Sequence, residues 1–283
     1  MDKATLIGLC LGGAALLGGH LLEGGSAGTI LQLTAMVIVF GGTLGAVCVS
    51  FGGAQLRQAW RELPHIFRKP RDETPDYLTR LVELSYRARR EGLLSLEGET
   101  KKIPDPFFRR GLELVIDAHQ PQQVREIMEV ELARLEETGS VPAQVFESAG
   151  GYAPTVGILG AVLGLIQVMQ HLTEPAKLGT GVAVAFVATI YGVASANLVF
   201  LPIAHKFRLR QQHQLRLREM ILEGLLALAR GDHPRLLAER LRGFLEPDAR
   251  LDQERLAPAR LKVLRPGGRP RTKPHASPSP PAR

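Results

Sequence analysis

The densest apolar stretch covers residues 141–204 and holds two runs separated by one polar hairpin. It reads YAPTVGILGAVLGLIQVM, then HLTEPAKLGT, then GVAVAFVATIYGVASANLVFLPIA. No Asp, Glu, Lys, Arg or His falls between Ala149 and Gln170, or between Gly179 and Ala204. A helix needs about 20 residues to cross the hydrocarbon core of a bilayer, and each run is that long. Two more apolar runs lie at residues 4–22 and 30–51, joined by a glycine-rich link. Lys3 ahead of the first run also suits a signal peptide. No small-x-small cleavage site follows, however, and a second apolar run comes at once. The pattern predicts an all-α integral membrane protein with four transmembrane helices, at 4–22, 30–51, 152–170 and 180–204.

The polar segments set the orientation. The two hairpins carry a single basic residue between them, Lys177, whereas residues 52–150 and 205–283 hold nearly all the rest. Basic residues stay on the cytoplasmic side, so both long segments and both termini are expected there. The net charge of +7 comes from the tail, because residues 52–150 balance base against acid. Such a charge can mark nucleic-acid binding, but aromatics are few and no recognition motif is present. Cytoplasmic retention of polar segments explains the charge better. Cys10 and Cys48 fall within apolar runs and are expected as small buried side chains, not as a disulfide or metal pair.

The loop at 52–150 reads as helical. Thr74-Pro75-Asp76 is a start signal with Thr as cap, and Gly92 is a stop. Pro104 and Pro106 punctuate the chain before a helix at 107–118. A further helix starts at Pro121 and is expected to end at Gly139. Beyond the fourth span, residues 206–229 continue the membrane helix into the cytoplasm, Gly231-Asp232-His233-Pro234 breaks it, and 235–245 form a short helix. Residues 205–257 thus make a helical cytoplasmic tail. From 258 to 283 the chain is rich in Pro, Arg and Ser, cannot bury a core, and is expected to be disordered.

Catalytic chemistry is missing. There is no phosphate-binding G-x-x-x-x-G-K-[ST] loop, and no Cys/His cluster has metal spacing. Ser195 has no His or acid that the sequence places beside it. The pattern is not that of an enzyme, and no cofactor is expected. An ion path normally requires an ionisable group inside the membrane, and the last two spans have none. If this chain moves ions, a partner supplies the carboxylate and this chain supplies a wall.

Gly181, Ala185, Thr189, Gly192 and Ala196 recur at steps of three or four and share one face of the fourth span. Gly157, Gly160, Ala161 and Gly164 do the same on the third. Two readings stand for these positions: a wall of an ion path, or ordinary close packing of helices. Thr189 carries the best-placed hydroxyl of the stripe, but a Thr can also satisfy itself on the carbonyl four residues back, here Ala185. Pro154 and Pro202 bracket the pair. Pro154 fits the first turn of a helix and Pro202 fits a kink near the membrane exit.

These residues resemble those of flagellar stator A-subunits of the MotA/PomA type, nearest to the PomA-like branch. The resemblance rests on YAPTVGILGAVLGLI, EPAKLG and VAVAFVATIYGVASANLVFLPIAHKF, and extends to ATLIGLCLGG, VFGGTLGAV, ARREGLLSLE and GDHPRLLAERLRGFLEP. It covers about residues 1–250 and leaves out the tail from 258. It implies a subunit of an ion-driven motor in the bacterial inner membrane. Five copies would surround two copies of a single-span B subunit of the MotB/PomB type, which carries the ion-binding Asp. Ion passage would turn the ring, and the loop would push on the rotor protein FliG.

Carried over residue by residue, the resemblance makes Arg89, Arg90 and Glu97 the rotor contacts, although charges at a helix end are also common as a solvated face. It makes Pro154 and Pro202 the residues coupling conduction to movement. The candidate ion-pathway residues are Thr189, Ala161, Ala185 and Tyr191. Sodium-driven relatives carry a Thr where this chain has Ala161. Sodium needs several oxygen ligands in place of its water shell, whereas a proton needs only the partner's carboxylate. The expected ion is therefore H+, with Na+ as the alternative. Two rivals remain on sequence: an energiser of outer-membrane transport of the ExbB/TolQ type, which has three spans, and a structural membrane scaffold.

Overall fold

The computed structural model describes residues 3–67, 72–171, 173 and 175–245. The tail at 258–283, expected to be disordered, lies outside them. Every regular element among the described residues is helical. Helix α1 spans Lys3–Leu22, α2 Ala27–Ile30, α3 Leu33–Met36, α4 Gly42–Ser50, α5 Gly53–Ile66 and α6 Thr74–Glu91. Helix α7 spans Glu97–Thr100, α8 Pro106–Ile116, α9 Pro121–Gln170, α10 Pro175–Ser195, α11 Leu201–Arg230 and α12 Pro234–Leu241. Three continuous helices are long and apolar enough to cross a membrane: Leu33–Ser50, Pro121–Gln170 and Leu178–Arg230. The first apolar run appears as a shorter apolar helix, Ile7–Leu22.

Two π turns interrupt the first and last of these runs, and the middle one is a single α-helix. Val37–Gly41 joins α3 to α4, and Ala196–Phe200 joins α10 to α11. Each inserts one extra residue into a helical turn, which rotates the faces on either side relative to one another.

The expected stop at Gly139 is overturned. Helix α9 runs for 50 residues through Gly139, Pro142 and Pro154, a length of about 75 Å at 1.5 Å per residue. A lone helical Gly is unfavourable by only about 1 kcal/mol. Gly139 lies against Gln211 of α11, and burial of the α9–α11 seam outweighs that penalty. The same continuity corrects the reading of Pro154 as a first-turn residue, since α9 begins at Pro121.

Helices α9 and α10–α11 form an antiparallel pair. Gly164 faces Gly181 and Ala185, Gly157 faces Ala188 and Gly192, and Gly150 faces Leu201. The second span packs on this pair through Ala35 and Val39, which share a buried cluster with Val187 and Ala188. Helix α1 sits at the edge, where Leu198 meets Gly12. Cys10 and Cys48 are exposed, not buried as expected. The helices turn these faces outward, alongside exposed Leu11, Leu44 and Val49. Apolar surface that water would penalise is tolerated where lipid or another subunit covers it.

The helical segments outside the apolar runs have their own core. Leu81 of α6, Phe107, Phe108 and Leu112 of α8, Met128 of α9, and Met220, Ile221 and Leu225 of α11 are almost completely buried together. Leu237 and Leu241 of α12 close it. Asp105 caps α8 by accepting a 3.0 Å hydrogen bond from the Phe108 N–H, with Pro106 in the first turn where its missing N–H is harmless. Helix α6 stops at Gly92, whose φ of 83° is open to glycine at no steric cost. Helix α11 stops at Gly231 in the left-handed region, as the break motif requires.

Candidate functional site

The small-residue stripe is a seam inside the subunit. A Cβ added at Gly164 would stand 2.8 Å from the Gly181 carbonyl oxygen, and one at Gly157 2.9 Å from that of Ala188. One at Gly192 would stand 2.5 Å from the Ala153 carbonyl. Glycine at these points lets two backbones touch, which is the packing reading of the stripe. Ala185 is buried in this seam against Gly164.

Thr189 departs from that face. Each step of four residues turns an α-helix by about 40°, so two steps carry Thr189 well round from Gly181. It is half-buried, and its hydroxyl donates to the Ala185 carbonyl at 3.2 Å. With Gly12, Leu16, Val193 and Asn197 it lines an apolar cleft of about 630 Å³ between α1 and α10. Ala161 is half-buried on α9 and does not line this cleft.

Tyr191 has a role that the sequence reading missed. The second span opens with a break between α2 and α3, which leaves backbone groups without helical partners. The Tyr191 hydroxyl donates to the Ile30 carbonyl and accepts from the Gln32 N–H at 3.3 Å. Its ring lies beside Phe40, with centroids 6.0 Å apart. One phenol thus bridges both sides of the break, where the Gln32 N–H also donates to the Ile30 carbonyl at 3.0 Å. The only sequence signal was a tyrosine in a span otherwise nearly free of polar atoms.

The two prolines sit at different kinds of joint. Pro154 is half-buried inside α9 and packs on Gly192. Its missing N–H leaves the Gly150 carbonyl without the usual bond from four residues on. Pro202 is exposed, two residues after the Ala196–Phe200 π turn. A proline ring clashes with the carbonyl four residues earlier, here that of Leu198, and the π turn widens the helix at that point.

At the far end of the molecule, Arg89 and Arg90 lie exposed in the last turn of α6. Gly92 turns the chain, a 3-10 turn at Leu93–Leu96 follows, and Glu97 opens α7, also exposed. Leu96 is fully buried and anchors the turn in the core it shares with α6, α8 and α11. None of Arg89, Arg90 and Glu97 makes an ion pair among the described residues. Their neighbours do. Glu99 is buried and accepts from Arg87 and Lys102, each at 2.9 Å, and from Arg80. The hydrogen bond from Lys102, helped by the charges of Arg80 and Arg87 against the opposing effect of burial, holds the Glu99 carboxyl below the usual carboxylate range. Sequence reading missed Glu99. Arg80 and Arg87 stand seven apart on one face of α6, and that spacing was the available signal.

Residues 99–220 match the MotA/TolQ/ExbB proton channel family, and residues 6–92 match the motility protein A N-terminal family. Motility protein A of Helicobacter pylori is 34% identical over 247 residues, covering 87% of this chain and 96% of that protein. The chain belongs to the motility protein A family. Within that family, chemotaxis protein PomA of Vibrio alginolyticus is 33% identical over 250 residues, covering 88% of this chain and 98% of its own length. The flagellar MotAB stator complex from Bacillus subtilis contains a chain with a TM-score of 0.79 and 32% identity, covering 88% of this chain and 98% of that one. The C. jejuni MotAB structure gives a TM-score of 0.81 at 29% identity over the same share of this chain. Membership in the motility protein A family accounts for the long apolar helices as parts of a multi-pass inner-membrane subunit. The family is one of channel and stator subunits, and it is not a known enzyme family.

Proposed function

We propose that this chain is a stator subunit of the bacterial flagellar motor which, with a B subunit of the MotB type, forms a channel and converts proton flow into torque. The observation that carries the reading is its likeness, over nearly all of its described length, to the A chain of flagellar MotAB stator complexes. The proposal includes four spans with both termini in the cytoplasm, the first of them built on the shorter apolar helix Ile7–Leu22. Five copies around a B dimer, with FliG as the rotor contact, complete the proposal.

The physical logic is a division of labour. The last two spans carry no Asp, Glu, Lys, Arg or His, so the carboxylate belongs to the partner. One charge crossing 100 mV yields about 2.3 kcal/mol. A bare charge at mid-membrane is unfavourable by about 2.5–3.5 kcal/mol on insertion scales. A neutralised carboxylate passes an apolar wall and a naked one stalls, so ion binding gates each step. Ala161, which offers no oxygen, favours the proton over sodium.

An energiser of the ExbB/TolQ type shares the family of residues 99–220. The match of residues 6–92 to the motility protein A N-terminal family favours the motor reading. The test is swimming speed of cells that depend on this chain. Speed should hold when potassium replaces sodium at constant pH, and should collapse with a protonophore. Speed that tracks sodium removes proton coupling, and complementation of transport instead of motility removes the motor reading.

A further inference from the structure

Helix α5 follows the second span after only Phe51 and Gly52, and its two sides differ sharply. Ala59 and Ile66 are buried, and Leu56 and Leu63 are half-buried. Ala59 shares its cluster with Val47 of the second span and with Val145 and Ala149 of α9. Ile66 shares another with Ala143 and with Phe207, three residues beyond Ala204. The Arg210 guanidinium donates to the His65 carbonyl, which pins the far end of α5 to α11. Helix α5 is therefore held at its start by the short link to the second span, at its middle by Val47 and Ala149, and at its far end by Phe207 and Arg210, so it crosses the bundle near the bilayer boundary.

The opposite face has no such cover. Trp60 is 74% exposed, and Arg57, Arg61 and Pro64 beside it are exposed as well. Positions 57, 60, 61 and 64 follow the i, i+3, i+4, i+7 pattern of one helix face. Trp60 is the chain's one tryptophan. An indole offers a large apolar body and one N–H donor, which suits the zone between acyl chains and headgroups. Guanidinium groups next to it match phosphate oxygens with paired donors. Among the described residues, neither arginine makes an ion pair.

We propose that the Trp60 face of α5 is an anchor for acidic phospholipid of the inner leaflet, with Trp60 at the acyl boundary and Arg57 and Arg61 on headgroup phosphates. An anchor at this point would hold the exit of the second span at fixed depth while the ring turns in the fluid bilayer. The proposal rests on the inner-membrane stator reading. Each Arg at an anionic surface is worth about fivefold in binding, so two set an upper bound of about thirtyfold preference for acidic over neutral lipid.

The test uses the intact complex with its B subunit in vesicles, where assembly and ion flux report separately on the stator reading. Tryptophan emission is recorded in phosphatidylcholine vesicles, with and without phosphatidylglycerol, with bromine placed near the headgroup end or near the methyl end of the acyl chains. Trp60→Phe gives the background from the partner's tryptophans; if that variant does not assemble, the partner's tryptophans are replaced instead. The expected result is quenching of Trp60 by shallow bromine more than by deep bromine. It should be stronger when the brominated lipid is phosphatidylglycerol, and that preference should vanish in Arg57→Gln/Arg61→Gln. Trp60 emission untouched by any brominated lipid overturns the anchor, whether the face then proves to meet water or a neighbouring copy. Equal quenching by both headgroups in the unmodified protein overturns the acidic-lipid assignment.

Discussion

Gly192 of α10 lies so close to Ala153 of α9 that a Cβ at position 192 would stand 2.5 Å from the Ala153 carbonyl oxygen. Pro154 is the next residue, and its Cα would be 3.2 Å from the same Cβ. The position of Pro154 is thus set by a backbone-to-backbone contact. Gly192→Ala should force the helices apart and destabilise the subunit by about 1–3 kcal/mol, the range of overpacked cores. Gly179→Ala, where a Cβ meets nothing within 4 Å, is the control and should be neutral or slightly stabilising. The thermal unfolding midpoints of the purified complexes decide. Equal midpoints for the two variants contradict a tight seam.

Thr189 separates a packing role from a pathway role. Thr189→Val keeps the shape and removes the hydroxyl together with its 3.2 Å bond to Ala185. A packing role leaves ion flux near normal. A pathway role raises the barrier by about the worth of one hydrogen bond, so flux should fall roughly tenfold with assembly intact. Thr189→Ser should retain most of the flux. Flux through complexes co-expressed with the B subunit is the measurement, and conduction by the Val variant equal to that of Thr ends the assignment.

Among the described residues Arg89, Arg90 and Glu97 are exposed and make no ion pair, so reversing them breaks none of these. Exposed pairs are each worth about 0–1 kcal/mol, which suits a contact that must form and break at every step. Arg90→Glu should shrink swim rings while co-purification with the B subunit is unchanged. A charge reversal on the rotor should restore part of the motility. Full motility of the Arg89→Glu, Arg90→Glu, Glu97→Lys triple variant would falsify the contact.

Glu99 is the buried counterpart of that surface and should make the loop acid-sensitive. Its carboxyl titrates below the usual range in the fold, mainly through Lys102 and then Arg80 and Arg87. The ionised form therefore favours the folded state. The contribution is complete above the unfolded value, about 4.3, and is lost as pH falls through the folded value. Glu99→Gln should lower stability at neutral pH and flatten its decline in acid. Circular dichroism melts between neutral pH and about pH 3 read this directly. An identical acid slope in both proteins argues against Glu99 as the titrating group.

The sequence by itself determined that the chain is helical and embedded in a membrane, because runs of some twenty residues without charge have few other solutions. It also settled the helix stops at Gly92 and Gly231, where a short-range rule on φ decides. It carried the family, since motifs spread over both halves are local strings. Only the tertiary structure decided what each small or polar residue faces. Gly139 does not end α9, because the partner helix α11 rewards continuation more than glycine penalises it. Gly181, Ala185, Gly192 and Thr189 share a spacing, yet the first three lie in a seam and Thr189 lines a cleft; helical drift of about 40° per four residues separates them. Tyr191 answers a backbone break 161 residues away, and Glu99 gathers cations from both α6 and its own turn. Such partners are brought together by packing energy summed over whole helices, and no local window of the sequence contains it.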